Sequence, residues 1–225
     1  MGAGAGLHHL DDPDDPRLAD YAALTDAVLR KRYEHQHGVL IAEGPTPVRA
    51  LLTSPYPVRS VLLAEDRLTA MRDVVAGATA PVYVVPQPLL EQVVRFRLHQ
   101  GVLACGERLP ATGVAQVLAR AERLFVLEGL NDHENLGALF RTARALGIDG
   151  VLLGPSCADP LYRRCVRVSM GQVLHVPFAR ATSIEGLLGD LAAAGVESVA
   201  LTPDPAAVPL AELELGRARV ALLLG

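Results

Sequence analysis

Five short runs of valine and leucine set the tightest limit on how this chain can fold: "RLFVLEG" (123–129), "DGVLLGP" (149–155), "VLHVPF" (173–178), "ESVALTP" (197–203) and "RVALLLG" (219–225). A strand with one wet face alternates apolar and polar residues, whereas a strand covered on both faces reads as a near-continuous apolar run. Segments of helical period lie between them, near 136–146, 160–170 and 183–194. Strands and helices alternating at this spacing predict a parallel sheet with helices packed on it.

The first half alternates as well. Short apolar "GVLIAEG" is followed by a helix "PTPVRALLTS", a strand "VRSVLLAE", a helix near 68–77 and a strand "APVYVVP". A helix near 88–95 and the strand-like "GVLACGE" complete it. Upstream, "LADYAALTDAVLRKRYEHQHG" reads as a helix with Leu18, Tyr21, Leu24, Val28 and Leu29 apolar, ending before Gly38. Residues 1–17, rich in Gly, Asp and Pro, are expected to be disordered. The segment "ERLPATGVAQVLAR" reads as a linker leading into a short helix. The expected organisation is therefore α/β throughout: a small N-terminal domain over 18–108, a linker over 109–120 and a different, parallel-sheet domain over 121–225.

With 225 residues, half of them apolar, the chain can bury a real core. A formal net charge of −4 gives the whole molecule no pull toward polyanions, although a local basic patch stays compatible with it. Cys105, Cys157 and Cys165 are far apart and form no C-x-x-C pair, which excludes a readable disulfide framework or zinc cage and fits a reducing, cytoplasmic setting. His35 and His37 lack companion ligands at metal spacing, so no metal is expected. The N-terminus has neither the basic nor the apolar region of a secretory signal. No run reaches the roughly 18 apolar residues needed to span a bilayer, so no membrane partner is expected.

The stretch "LNDHENLGALFRTARALGIDGVLLG" (130–154) carries the chemistry. Leu136, Leu139, Phe140, Ala143 and Leu146 form a core-facing stripe. Asn135 stands where it can cap this helix and Gly147 where it can end it, so capping and chemistry are both open for Asn135. Arg141 and Arg144 fall off the apolar stripe, and on residue type alone each is a solvated side chain. A dinucleotide-binding reading would need G-x-G-x-x-G after the strand. The loop "LNDHENLG" has none, and no Walker-type G-x-x-x-x-G-K-[ST] occurs.

In order and spacing, Asn135, Gly137, Arg141, Thr142 and Ala143 resemble the first signature of the SpoU/TrmH family of RNA ribose 2′-O-methyltransferases. Downstream, "LYRRCVRVSMGQVLHVPF" resembles that family's next segment, with Arg167, Ser169, Gly171 and Pro177 in matching places. "HGVLIAEGPTPVRALLTSPYPVRSVLLAEDR" resembles the small substrate-binding domain that precedes the catalytic one. The resemblance covers about residues 20–225. It implies a SPOUT (α/β knot) domain, S-adenosyl-L-methionine as methyl donor and a homodimer. The implied substrate is RNA, with ribosomal RNA favoured and transfer RNA second. Family members continue past the strand matching "RVALLLG" into Gly-x-Glu-x-x-Gly and Ser-Leu-Asn motifs that complete a trefoil knot. Because this sequence reaches Gly225, which would open the second motif, the resemblance implies an incomplete knot, about half of a donor pocket and, if the molecule ended there, little activity. A non-catalytic RNA-binding or assembly protein of the same fold is the alternative from another class.

The resemblance also distributes roles. Arg141 and Asn135 are the implied catalytic residues, with Asn135 orienting Arg141 or the target ribose. Gly137, Arg167 and Ser169 are implied contacts to the RNA. Thr202 and Gly225, each closing a strand, are implied contacts to the donor, with a plain turn as the other reading. Arg163, Arg164 and Arg167 form a basic cluster able to grip phosphates, although Arg163 and Arg164 read first as a solvated helix face. Arg30, Lys31, Arg32, His35 and His37 form a second basic run, and His133 and Glu134 read as polar loop residues.

Overall fold

The computed structural model describes residues 6–26, 33–34, 36–215 and 219–225. The chain divides into two compact units, Met1–Leu109 with Leu161–His175, and Pro110–Pro160 with Val176–Gly225. The first unit contains β1 (Leu7–His9), β2 (Val39–Glu43), α1 (Pro45–Leu52), β3 (Val58–Ala64), α2 (Arg72–Gly77), β4 (Val82–Val85), α3 (Gln87–Val94) and β5 (Val102–Glu107). Its sheet has the order β1-β4-β3-β5-β2. β4 is parallel to both β1 and β3, whereas β5 runs antiparallel to both β3 and β2. Two of the helices follow a local stop to the strand: Pro45 stands at the start of α1 after Gly44, and Pro86 precedes α3.

The expectation of disorder over residues 1–17 is corrected for residues 6–17, residues 1–5 lying outside the described residues. Leu7–His9 pairs with Val82–Val84, and Leu10 N–H donates to Val84 O at 2.9 Å with its side chain buried. Asp15 caps a 3₁₀ turn over Pro16–Tyr21 by accepting from Arg17 N–H at 2.9 Å. A composition of Gly, Asp and Pro argues against a local core, but a strand can be held by its partner's backbone alone. All three residues of β1 are in fact exposed. Leu18, Tyr21 and Leu24 pack into the first core, but the helix expected to run on from Leu18 is corrected: the 3₁₀ turn stops at Tyr21, with Ala22 extended and Ala23 at φ 50°. Tyr21 Oη shares a buried 2.7 Å hydrogen bond with Ser60 Oγ. Arg30, Lys31, Arg32 and His35, with the middle of the expected helix, lie outside the described residues.

The chain continues with α4 (Val114–Leu118), β6 (Arg123–Leu127), α5 (His133–Leu146), β7 (Gly150–Leu153), α6 (Arg163–Val168, in the first unit), β8 (Phe178–Arg180), α7 (Ile184–Ala193), β9 (Val196–Ala200) and β10 (Arg219–Leu224). The second sheet has the order β8-β7-β6-β10-β9, with every pair parallel. The parallel α/β architecture expected from the apolar runs is therefore present. Burial on both faces holds for β6 and β7. β10 is half-buried and β9 mostly exposed, so their apolar runs do not mark two covered faces among the described residues. The expected strand over 173–178 is instead a 3₁₀ turn, Gln172–Leu174, followed by β8. In the expected linker, α4 contributes Val117 and Leu118 to the second core. All three cysteines are buried free thiols, and among the described residues no helix is long and apolar enough to cross a membrane.

By packing, residues 161–175 group with the first unit. Two consecutive left-handed residues, Met170 (φ 55°) and Gly171 (φ 79°), turn the chain out of α6. Gly171 lies against α1, and a Cβ there would stand 2.4 Å from Ala50 Cβ and 3.1 Å from Pro47 Cα. His175 Nε2 is 3.0 Å from Ala50 O on the same helix. A methyl group at position 171 would therefore meet both a backbone penalty and a hard contact. Gly171→Ala is expected to cost about 1–3 kcal/mol, read as a lower urea midpoint by far-ultraviolet circular dichroism.

Candidate active site

The site is built where β6 hands over to α5. β6 ends at Leu127, the chain turns through Gly129 (φ 67°), and α5 begins at His133. Its cap is Asp132, whose carboxylate accepts from Glu134 N–H at 2.6 Å; Gly147, left-handed at φ 67°, ends it. The capping reading of Asn135 is thus corrected: both residues are of capping type, and the helix starts one turn earlier. Asn135 lies in the first turn, exposed, with no hydrogen bond among the described residues.

α5 buries Leu136, Gly137, Phe140 and Ala143, with the Phe140 ring edge-on to Phe178 at 5.7 Å. The stripe is narrower than its sequence suggests. Leu139 is only partly buried, and Leu146 is 62% exposed. Arg141 and Thr142 project from the open side. Arg141 has neither a hydrogen bond nor an ion pair among the described residues, so the fold leaves its charge unneutralised. Six residues of helix separate Asn135 from Arg141, about 9 Å of rise and a third of a turn short of two, and no bond joins them. Of the two implied uses of Asn135, orienting Arg141 within the helix is not seen.

Because the second sheet is parallel throughout, all its strands finish on one edge. The connections diverge between β6 and β10, the kind of position where open α/β sheets take ligands. Gly225 follows β10 there, beside Glu128: Glu128 N–H donates to Leu224 O at 2.9 Å, and a Cβ on Gly225 would lie 3.1 Å from Glu128 O. Thr202 lies beyond β9, exposed, with Oγ1 accepting from Asp204 N–H at 3.2 Å, which makes it a turn residue in this structure.

Two residues at this edge carry no signal that the sequence alone made plain. Glu128 Oε1 accepts from Ser156 Oγ at 3.3 Å, while Oε2 is buried with no hydrogen-bond partner. That carboxylate reaches over Gly154 through Oε2, into space that a Cβ at 154 would fill. The one available hint was a lone acid ending an apolar strand. Arg180, at the end of β8, donates from Nη1 to the carbonyls of Gly154, Pro155 and Cys157 at 3.1, 3.3 and 2.7 Å, and from Nη2 to Ala158 O at 2.8 Å. One guanidinium thus organises the loop after β7, and nothing in the local sequence announced it.

Arg167 and Ser169 belong to the first unit. Arg167 Nη1 donates to Glu43 Oε1 at 3.0 Å and is otherwise half exposed. Ser169 is fully buried, its Oγ donating to Val166 O at 3.0 Å and accepting from Val173 N–H at 3.4 Å. Its implied RNA contact is therefore corrected: the hydroxyl closes the end of α6. Nor is Arg163 a solvated face, since it pairs with Glu43 Oε2, donates to Leu24 O at 3.2 Å and lies 5.1 Å over the Phe96 ring.

Residues 122–225 match the SpoU rRNA Methylase family, and residues 41–110 match the domain described as RNA 2′-O ribose methyltransferase substrate binding. An uncharacterized tRNA/rRNA methyltransferase of Mycobacterium tuberculosis is 42% identical over 99% of this chain and 78% of its own length. A 23S rRNA (guanosine(2553)-2′-O)-methyltransferase of Bacillus subtilis is 26% identical over 74% of this chain and 64% of its own. Among solved structures, an AdoMet-bound rRNA methyltransferase from Sinorhizobium meliloti superposes with a TM-score of 0.77 at 25% identity, over 97% of this chain and 81% of that one.

The cap assignment separates stability from chemistry. Asp132→Ala is expected to cost about 1 kcal/mol of unfolding free energy, and Asn135→Ala only a small fraction of that, both read from urea midpoints. The reverse order would return the cap to Asn135.

Proposed function

We propose, from the premise that this chain belongs to the SpoU rRNA methylase family, that it methylates a ribose 2′-hydroxyl of RNA, with ribosomal RNA as the first substrate to test and transfer RNA the second. The observation that carries the reading is the unpartnered Arg141 guanidinium, on the open side of the helix that begins at the carboxyl edge of the sheet. A structural arginine is ordinarily satisfied by the fold, as Arg163 and Arg180 are. A cation left free beside a ligand-binding edge is available to something that is not protein.

S-adenosyl-L-methionine would supply an already activated methyl group, so the protein's task is positioning and charge stabilisation. Glu128, Thr202 and Gly225 are the residues on hand to hold it. The buried, unpartnered Glu128 Oε2 accepts from a hydroxyl or ammonium donor, and glycine at 154 and 225 leaves room beside it. A guanidinium does not surrender its proton near neutral pH, which makes Arg141 a poor general base. As a fixed cation it stabilises the charge that builds on the ribose oxygen as the hydroxyl proton passes to solvent water, or clamps a neighbouring phosphate. Asn135, exposed and unbonded, orients the ribose through its side-chain amide.

Arg141→Ala is expected to lower methyl transfer at least 100-fold while leaving the circular dichroism spectrum and melting temperature unchanged. The assay is transfer of labelled methyl from S-adenosylmethionine to ribosomal and transfer RNA by the full-length protein, with the product mapped to the ribose. Wild-type turnover in the variant, or label on a base, overturns the assignment. An intact protein that binds RNA but transfers nothing would be a binding or assembly factor of this fold.

The active assembly we propose is a homodimer, supported by exposed Leu188, Leu201, Val208 and Leu210 in the second unit. Light scattering at micromolar concentration is expected to give twice the chain mass; a monomer alone would refute it.

A further inference from the structure

Within the first unit, a cleft of about 390 Å³ opens between β2, α1, the segment after α3 and the end of α6. Its lining includes Thr46, Phe96, Arg97, His99, Arg167 and Met170. The segment "VVRFRLHQG" (93–101) explains half of this wall. Arg95, left-handed at φ 63°, ends α3, after which burial alternates: Leu98 is buried in the core and Phe96 packs against it while still reaching the cleft, and Arg97 and His99 are exposed. Arg97 has no hydrogen bond or ion pair among the described residues.

The other half is organised by Glu43, which ends β2 with only 8% of its surface exposed. Both of its oxygens are taken, one by Arg163 and the other by Arg167. A carboxylate so occupied presents little negative charge to a ligand, and it fixes Arg167 by a single nitrogen. The remaining Arg167 donors face outward on a side chain that is 47% exposed. Two guanidiniums, Arg97 and Arg167, line the cleft against one carboxylate that is already paired with Arg163 as well, in a chain of net charge −4. Met170, 49% exposed, and the Phe96 ring add an apolar, polarisable surface between the charges. Cations flanking such a surface suit a ligand with both phosphates and planar faces, which describes an unpaired nucleic-acid strand and not an acidic peptide.

We infer that this cleft holds the sugar–phosphate backbone of an unpaired RNA segment, with Arg97 and Arg167 each on a phosphate. The inference rests on the RNA-methyltransferase reading and narrows it to a place and two residues. The test is fluorescence anisotropy of a labelled polyuridine of roughly 16 nucleotides on the full-length protein, across a range of salt concentrations. Arg97→Ala and Arg167→Ala are each expected to weaken binding about tenfold near 0.1 M salt and to flatten the log–log salt slope by about one. Arg72→Ala, an exposed arginine of α2 outside the cleft, is expected to change neither. Arg97 has no structural partner to lose, so its variant keeps the test decisive if Arg167→Ala proves unstable. Wild-type binding with unchanged Arg97→Ala affinity and slope overturns the cleft alone. Failure of the wild type to bind removes the RNA reading as well. Displacement of the oligonucleotide by polyglutamate at equal charge concentration would make the cleft a general anion surface and overturn the RNA assignment.

Discussion

Parallel pairing is the constraint on which the second unit depends. A sheet whose strands all point one way needs a crossover after every strand, and every crossover leaves from the same edge. Glu128, Thr202 and Gly225 are therefore gathered there by topology, although about a hundred residues of chain separate the first from the last. The helix carrying Asn135 and Arg141 starts from that edge for the same reason. What distinguishes this edge chemically is how much of it the fold leaves unspent. The Arg141 guanidinium, the Asn135 side-chain amide and one Glu128 carboxylate oxygen have no hydrogen-bond partner among the described residues, whereas Arg180, at the end of β8, is engaged by four carbonyls.

The first unit follows another logic. Its mixed sheet is closed over by a segment from far along the chain, and the contact is polar as well as apolar. Glu43 receives two guanidiniums, Ser169 ties off α6, and Gly171 lets the turn lie against α1. Breaking a buried pair by removing one partner usually costs more than the pair contributes, because a desolvated charge is left behind. Glu43 is thus more exacting about its surroundings than either arginine, each of which leaves it one companion.

Much of this was legible from sequence because it is periodic. The runs that became β6 and β7, the burial of Phe140 and Ala143, and the helical stop at Gly147 all follow from spacing and residue type. Legibility failed where the outcome depended on partners far away in sequence. β1 is a strand because β4 offers it a backbone edge, not because of its own composition. Arg163 read as a solvated helix face and Ser169 as an RNA contact by resemblance, and only the packing of 161–175 within the first unit buries Ser169 and leaves Arg163 partly buried and paired. The cap moved from Asn135 to Asp132 because two competent capping residues stand three apart, a choice that local rules leave undecided. Arg141 was conspicuous only through resemblance, since an exposed helical arginine carries no signal of its own.

The fan of carbonyls around Arg180 has a consequence for how this surface can change over generations. Four acceptors spread across five residues match a flat, forked cation, whereas a lysine presents its three donors from a single point and cannot span them. The usual conservative exchange is closed at this position. A lysine at 180 would leave some of those carbonyls without their donor, so the loop is matched to its arginine in shape as well as in charge.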